Sequence, residues 1–90
     1  MATPVPTVHD RRAVIARLNR ANGQLAAAAR MVEEGRDCEE VVRLLAAVSK
    51  AVDTAALGIV FGGLRQCLIE DRTDADEVTA RLQKVLLSLA

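Results

Sequence analysis

The chain has 90 residues, enough for one small domain, and domains of this size often depend on disulfides, metal ions or oligomerisation because they bury little apolar surface alone. Half of the residues are apolar, but Phe61 is the single aromatic one, so the core must be built from Ala, Val and Leu, which suits slim, closely packed helices. The sequence shows no 18-residue apolar run of the kind that predicts a membrane span, and its N-terminus lacks the apolar core of a signal peptide.

The charges cancel over the whole chain but are unevenly distributed. Residues 1–30 contain five arginines and one aspartate, whereas residues 31–90 contain seven basic and eleven acidic residues. This asymmetry has two interpretations: the first helical segment contacts a polyanion, or its arginines solvate one helix face. Two cysteines in a chain without a leader favour the reducing cytoplasm, where such a pair more often serves redox chemistry or metal binding than a structural disulfide.

Three helices and no strands are predicted. Residues 1–9, with Pro4 and Pro6, are expected to form a disordered arm, and residues 10–90 a single helical domain. The first helix is predicted over residues 10–34, and Gly35 is a suitable residue to end it. Its apolar residues recur at alternating steps of four and three, which is the helical period: Val14, Leu18, Ala21, Leu25, Ala28 and Val32.

The second predicted helix, over residues 38–71, is the longest element. Asp37 is its expected N-cap, with Glu40 three residues later as in a capping box. Gly58, Gly62 and Gly63 lie near one end, where each costs about 1 kcal/mol relative to Ala. Their grouping indicates close approach of another helix or a local kink. The main apolar stripe of this helix consists of Val41, Leu45, Val48, Val52, Ala55 and Ile59.

A third, shorter helix is predicted over residues 74–89, with Thr73 or Asp74 as its cap. The second helix spans roughly 50 Å at 1.5 Å per residue, and its two neighbours cannot cover so long an apolar surface. The all-α chain is therefore expected to dimerise by antiparallel pairing of two long helices in a four-helix bundle, with a free three-helix monomer as the alternative.

Cys38 and Cys67 lie at opposite ends of the predicted second helix. Their spacing of 29 residues corresponds to about 43 Å, which prevents pairing within one subunit. Because 29 steps of about 100° end only about 20° past a whole number of turns, both thiols point to the same side. In an antiparallel dimer, Cys38 of one subunit therefore meets Cys67 of the partner subunit, and the two-fold axis repeats the meeting.

This intersubunit pair of cysteines is compatible with several chemistries. Two thiolates can hold a soft Cu(I) ion, or they can be joined by oxidation as a disulfide or through inserted sulfur atoms. Zinc would need further ligands, and His9, the single histidine, falls in the arm, where it is expected to be solvated. The alternative is that both cysteines are small buried hydrophobes.

The chain resembles the copper-sensitive operon repressor family (CsoR/RcnR) over about residues 11–70. The resemblance rests on Cys38 and on three short motifs: Arg17-Leu18-x-Arg20-x-x-Gly23-Gln24, Ala56-Leu57 and Arg65-Gln66-Cys67. It implies an all-helical dimer of dimers that binds operator DNA in the cytoplasm and releases it when the sensor site is filled.

The chain also departs from the copper sensors of that family, whose ligands are Cys, His and Cys. Gly63 stands where their histidine lies, four residues before the second cysteine, and Asp37 replaces the tyrosine usual before the first. Asn22 replaces a common glutamate. A cysteine pair without the histidine resembles the persulfide-sensing branch (CstR), which implies that Cys38 and Cys67 are joined across the dimer by reactive sulfur species.

No helix-turn-helix, zinc finger or ribbon motif is recognisable, so DNA binding is expected to depend on positive surface from several subunits. Arg17, Arg20 and Gln24 share one stripe of the first helix, and both arginines match basic positions of the family. The expected helpers in phosphate contact are Arg11, Arg12 and Lys50.

The predicted function is a transcriptional repressor that leaves its operator DNA when Cys38 and Cys67 react with persulfide or polysulfide. One alternative is a Cu(I)-responsive repressor that uses the same two thiolates; another is a helical interaction or metal-buffering module that does not bind DNA. No cofactor is predicted other than Cu(I) in the first alternative, and no membrane partner. The chain is not expected to be an enzyme, because it lacks a phosphate-binding loop, paired carboxylates at a cleft and a Cys–His dyad.

Overall fold

The computed structural model describes residues 3–89, and this part of the chain forms three helices without a strand. α1 spans Val8–Glu33, α2 spans Cys38–Ile69 and α3 spans Ala75–Leu87. α1 folds back along α2 as an antiparallel hairpin, and the short α3 packs on α2 alone. The predicted three-helix, all-α chain is confirmed, while the boundaries of each helix shift by one or two residues.

The first two helices begin at side chains that accept a hydrogen bond from a free backbone N–H. Thr7 Oγ1 accepts from the N–H of Asp10 at 3.1 Å, which is why α1 begins at Val8 rather than at residue 10. The side chain of Asp37 accepts from the N–H of Glu40 at 3.3 Å, as the capping pattern predicts. The position of Cys38 as the first residue of α2 is therefore fixed by its neighbour.

The ends of α1 and α2 share one hydrogen-bonded motif. After α1, Gly35 takes a left-handed φ of 70°, and the N–H of Arg36 donates to the Met31 carbonyl at 2.9 Å. After α2, Asp71 takes a φ of 50° and the N–H of Arg72 donates back into the last turn. Both are Schellman motifs, and the second uses an aspartate where glycine is the usual residue.

The interior of the hairpin is made of small side chains repeated every seven residues. Val14, Ala21 and Ala28 of α1 are buried, as is the matching series of α2, namely Val41, Val48 and Ala55. The buried side chain that docks α3 is Val78, which is 0% exposed. Small residues at these positions let the two long helices approach closely, as the composition predicts.

A second series, four residues after the buried one, remains uncovered. We call it the apolar face: Leu18, Leu25 and Val32 of α1 with Leu45, Val52 and Ile59 of α2, each 40–64% exposed. Six large apolar side chains in one strip are typical of a surface that meets another protein. The apolar face favours association of subunits, and the four-helix-bundle dimer itself remains a prediction.

The segment before α1 differs from the expected disordered arm. Residues 3–7 lie along the C-terminal half of α2, and residues 1 and 2 of the predicted arm fall outside the described residues, as does residue 90. A Cβ on Gly62 would lie 2.8 Å from the Cβ of Pro6, so the glycine allows this approach. His9, expected in the arm, is an exposed residue of the first turn of α1.

The expectation that no stretch could span a membrane needs one correction. By length and composition α2 is apolar enough to cross a membrane, because it contains an 18-residue stretch with no more than two charged residues. Core helices of soluble proteins can have the same length and apolar composition, so these two properties of α2 are weak evidence for a membrane span. Covering the apolar face by a second subunit would account for the same exposed surface.

Candidate sensor site and nucleic-acid interface

Cys38 is exposed and carries a free thiol at the first position of α2. Its surroundings are mostly acidic, with Glu39 and Glu40 in the same helical turn. The nearby Arg36 is bound to carboxylates, at 2.5 Å from Glu40 and at 3.7 Å from Glu34. The thiol of Cys38 is therefore open to solvent and to reagents, while the charge of Arg36 is largely neutralised by its partners.

Cys67 carries the second free thiol and is buried, at 3% exposure, in the last turns of α2. Its carbonyl accepts the Arg72 N–H at 3.4 Å in the Schellman motif that ends the helix. α2 runs without interruption from Cys38 to Ile69, so the two thiols of one chain are about 43 Å apart. The structure thus keeps them apart within a subunit, and their meeting across a dimer remains a prediction.

Gly63 lies one turn before Cys67 and is buried by two other parts of the chain. A Cβ there would lie 3.4 Å from the carbonyl oxygen of Pro4 and 3.8 Å from Cδ1 of Leu82 in α3. Across the described residues 3–89, no three side chains of His, Cys, Asp or Glu group in a way that could hold a metal ion. The two soft thiol donors of the chain, Cys38 and Cys67, lie at opposite ends of α2.

Arg17, Arg20 and Lys50 line one groove between α1 and α2, on the other side of the hairpin from the apolar face. We call this the basic groove; its floor is formed by Ala47, Ala51 and Thr54. All three cations are exposed, and within residues 3–89 none of them forms an ion pair. Small floor residues and unpaired charges make the groove accessible to phosphate groups.

The remaining predicted DNA-contacting residues lie outside the basic groove. Gln24 is partly buried one turn beyond Arg20, and Arg12 is exposed on the outer side of α1. Arg11 lies on the opposite side of the hairpin, where it lines a hollow with Pro6 and Ile59. Of the predicted set, the structure therefore brings together Arg17, Arg20 and Lys50.

The turn between α2 and α3 holds an ion pair that the sequence did not reveal. Arg72 donates two hydrogen bonds of 2.8 Å to the carboxylate of Asp74. This contact lowers the pKa of Asp74 and raises the pKa of Arg72, and the Cys67 thiol adds to the electrostatic effect on Arg72. Asp74 was expected to cap α3, but its side chain makes no cap hydrogen bond because Arg72 occupies it.

The fold and the two surfaces together define a helical regulator with a thiol pair and a cationic groove. A family model described as "metal-sensitive transcriptional repressor" matches residues 10–88. The match covers most of the chain, so the protein belongs to this family, which confirms the resemblance at the family level. Family membership implies DNA binding and subunit association. No characterised protein and no solved structure gave a significant match.

Proposed function

We propose that this repressor is a thiol switch that releases its operator when Cys38 and the partner's Cys67 are joined by reactive sulfur species. The supporting observation is that uninterrupted α2 carries two free thiols at its opposite ends, with Gly63 where a third ligand would be needed. Two thiolates without a further donor suit sulfur chemistry, because a persulfide reacts with one thiolate at a time.

The reaction needs one sulfane sulfur donor, such as hydrogen disulfide, and consumes two thiolates. In the first step the thiolate of one cysteine attacks a sulfur of the donor, the S–S bond of the donor breaks, and hydrosulfide leaves. In the second step the thiolate of the other cysteine attacks the cysteine-bound sulfur, and a second hydrosulfide leaves. Both cysteine sulfurs are oxidised, two donor sulfurs are reduced, and one intersubunit disulfide forms. When the cysteine carries a longer sulfur chain, attack on a sulfur between the cysteine sulfur and the terminal one expels hydrosulfide or a shorter polysulfide and retains extra sulfur atoms in the bridge.

DNA binding is assigned to the basic groove. Arg17, Arg20 and Lys50 are exposed and unpaired within residues 3–89, and association of subunits repeats the groove along the DNA. A bridge between Cys38 and the partner's Cys67 would fix two α2 helices at both ends. Release then requires that the bridged arrangement binds DNA more weakly than the reduced one, which is a coupling free energy between the two sites.

The test uses the full-length reduced protein, fluorescent DNA from the region upstream of its own gene, and sodium tetrasulfide. Wild type should bind and then dissociate as intersubunit bridges appear by non-reducing mass measurement, with mass steps of about 32 Da for inserted sulfur. The Cys38→Ala and Cys67→Ala proteins should bind equally well and stay bound. A Cys67→Ala protein that dissociates from DNA normally on tetrasulfide addition would overturn the proposal.

A Cu(I)-responsive repressor is the second candidate, and the description of the family as metal-sensitive favours it. Cys38 and the partner's Cys67 could hold Cu(I) between two thiolates. Cuprous ion added without oxygen should then release DNA at one ion per cysteine pair, and tetrasulfide should not. Release by tetrasulfide alone would support the thiol switch, whereas release by cuprous ion alone would replace it.

A further inference from the structure

Residues 3–7, here called the N-terminal strap, cross α2 at a pair of buried glycines. A Cβ on Gly62 would lie 2.8 Å from the Cβ of Pro6 and 3.0 Å from the Cβ of Asp10. Real Cβ atoms do not approach that closely, so even an alanine at position 62 must displace the strap or the start of α1. The docked strap therefore depends on the missing side chain.

The strap is tied down at its C-terminal end. The hydroxyl of Thr7 donates to Asp10 Oδ2 at 2.8 Å, and Arg65 Nε lies 3.1 Å from the same carboxylate. Arg65 is on α2, three residues after Gly62, so one carboxylate joins the strap, α1 and the C-terminal part of α2. These contacts hold the strap next to the turn of α2 that precedes Cys67.

The two thiols differ sharply in their access to solvent. Cys38 is exposed, whereas Cys67 is 3% exposed. Gly63 lies one helical turn before Cys67, and is covered by the Pro4 carbonyl and by Leu82 of α3. The strap and α3 therefore cover the turn of α2 that leads to the buried Cys67.

We propose that the N-terminal strap shields Cys67 and so sets the order of the reaction, with Cys38 as the thiol that receives the sulfur and Cys67 as the resolving thiol. This rests on the proposed thiol switch. Cys38 takes up one sulfane sulfur and releases hydrosulfide; lifting of the strap then admits the Cys67 thiolate of the partner subunit to the cysteine-bound sulfur, and a second hydrosulfide leaves. In this order the shielded thiol stays reduced until it attacks the sulfur bound to Cys38.

The experiment measures alkylation of each cysteine by iodoacetamide in the folded, reduced, full-length protein, with peptide mass spectrometry to separate the two sites. In wild type, Cys67 should react at least about tenfold more slowly than Cys38. Gly62→Ala should raise the Cys67 rate about three- to tenfold and leave the Cys38 rate unchanged. Gly23→Ala is the matched control, because a Cβ there meets no atom within 4 Å.

A second variant guards against misfolding of Gly62→Ala. Pro6→Gly removes the side chain of Pro6 that lies against Gly62 and adds no atom near α2. It should therefore also raise the alkylation rate of Cys67. In the Gly62→Ala/Pro6→Gly double variant the two increases in the Cys67 alkylation rate should not add, because both substitutions release the same strap from α2. Helical content by circular dichroism identifies any protein that has unfolded.

The outcomes separate this inference from the function on which it rests. Equal alkylation rates for Cys67 in wild type, Gly62→Ala and Pro6→Gly would overturn the shielding role, even where tetrasulfide still bridges the subunits and releases DNA. Faster alkylation of Cys67 in both variants, with persulfide first found on Cys38 in wild type, would support it. A persulfide found first on Cys67 of wild type would contradict the order.

Discussion

Replacement of Arg20 by glutamine tests whether the basic groove binds DNA. Arg20 is one of three groove cations that form no ion pair within residues 3–89, and its side chain is exposed, so the change removes charge without disturbing the core. The logarithm of the affinity falls linearly with the logarithm of the salt concentration, and each phosphate contact makes this fall steeper by about 0.9. Loss of one contact from each of two subunits should therefore make the slope about 1.8 less steep and lower the affinity at 0.15 M salt about 30-fold.

The measurement is fluorescence anisotropy of operator DNA over a series of salt concentrations, with the reduced protein. Arg43→Gln is the control, because Arg43 is equally exposed but lies outside the groove and pairs with Glu39 at 2.6 Å. It should leave the slope unchanged. The assignment of DNA binding to the groove is refuted if the Arg20→Gln protein keeps the wild-type slope. It is also refuted if Arg43→Gln reduces the slope as much as Arg20→Gln does.

Three further predictions concern stability. Val78 is 0% exposed where α3 docks on α2, so Val78→Ala should lower the free energy of unfolding by about 1–3 kcal/mol. Looser docking of α3 should also speed alkylation of Cys67. A melting curve identical to that of wild type would contradict this prediction. Gly23→Ala should stabilise α1 by about 0.5–1 kcal/mol in urea unfolding, because the site is open and helical, and a loss of stability would show a contact on Gly23 in the assembly. The hydrogen bonds from Arg72 lower the pKa of Asp74, so the ionised carboxylate of Asp74 stabilises the fold at every pH above its unfolded pKa of about 3.9. This stabilisation is lost as the pH falls through the lower pKa of the folded state. The Asp74→Asn protein should therefore not show this loss of stability when its unfolding is followed in an acid titration.

The helices were predictable because their signals are local. The caps at Asp37 and Gly35 and the apolar stripes at steps of four and three are read from short stretches of sequence. The structure has both caps, and it buries every second residue of each stripe. The start of α1 was predicted two residues late, because Thr7 follows a proline-rich stretch and its capping partner Asp10 was itself taken as the first helical residue. Thr73 or Asp74 was predicted to cap α3; Asp74 is the N-cap residue, but its side chain binds Arg72 and makes no cap hydrogen bond.

The placement of both cysteines on one long helix was predictable, but their accessibility to solvent was not. Helical geometry places Cys38 and Cys67 on one side of α2, and this needs no knowledge of other elements. Cys67 is buried one turn beyond Gly63, which α3 and the N-terminal strap cover; these segments are distant in sequence and leave no periodic signal. Gly62 was the available clue, since a glycine inside a helix costs stability unless another segment approaches it.

The contrast between the two ends of α2 bears on what the switch can detect. A Cu(I) ion held between Cys38 and the partner's Cys67 would need both thiols in its final complex. Stepwise sulfur chemistry needs one exposed thiol first and a second thiol later. An exposed Cys38, a buried Cys67 and a covered Gly63 in place of a third ligand fit the stepwise reaction of the proposed thiol switch.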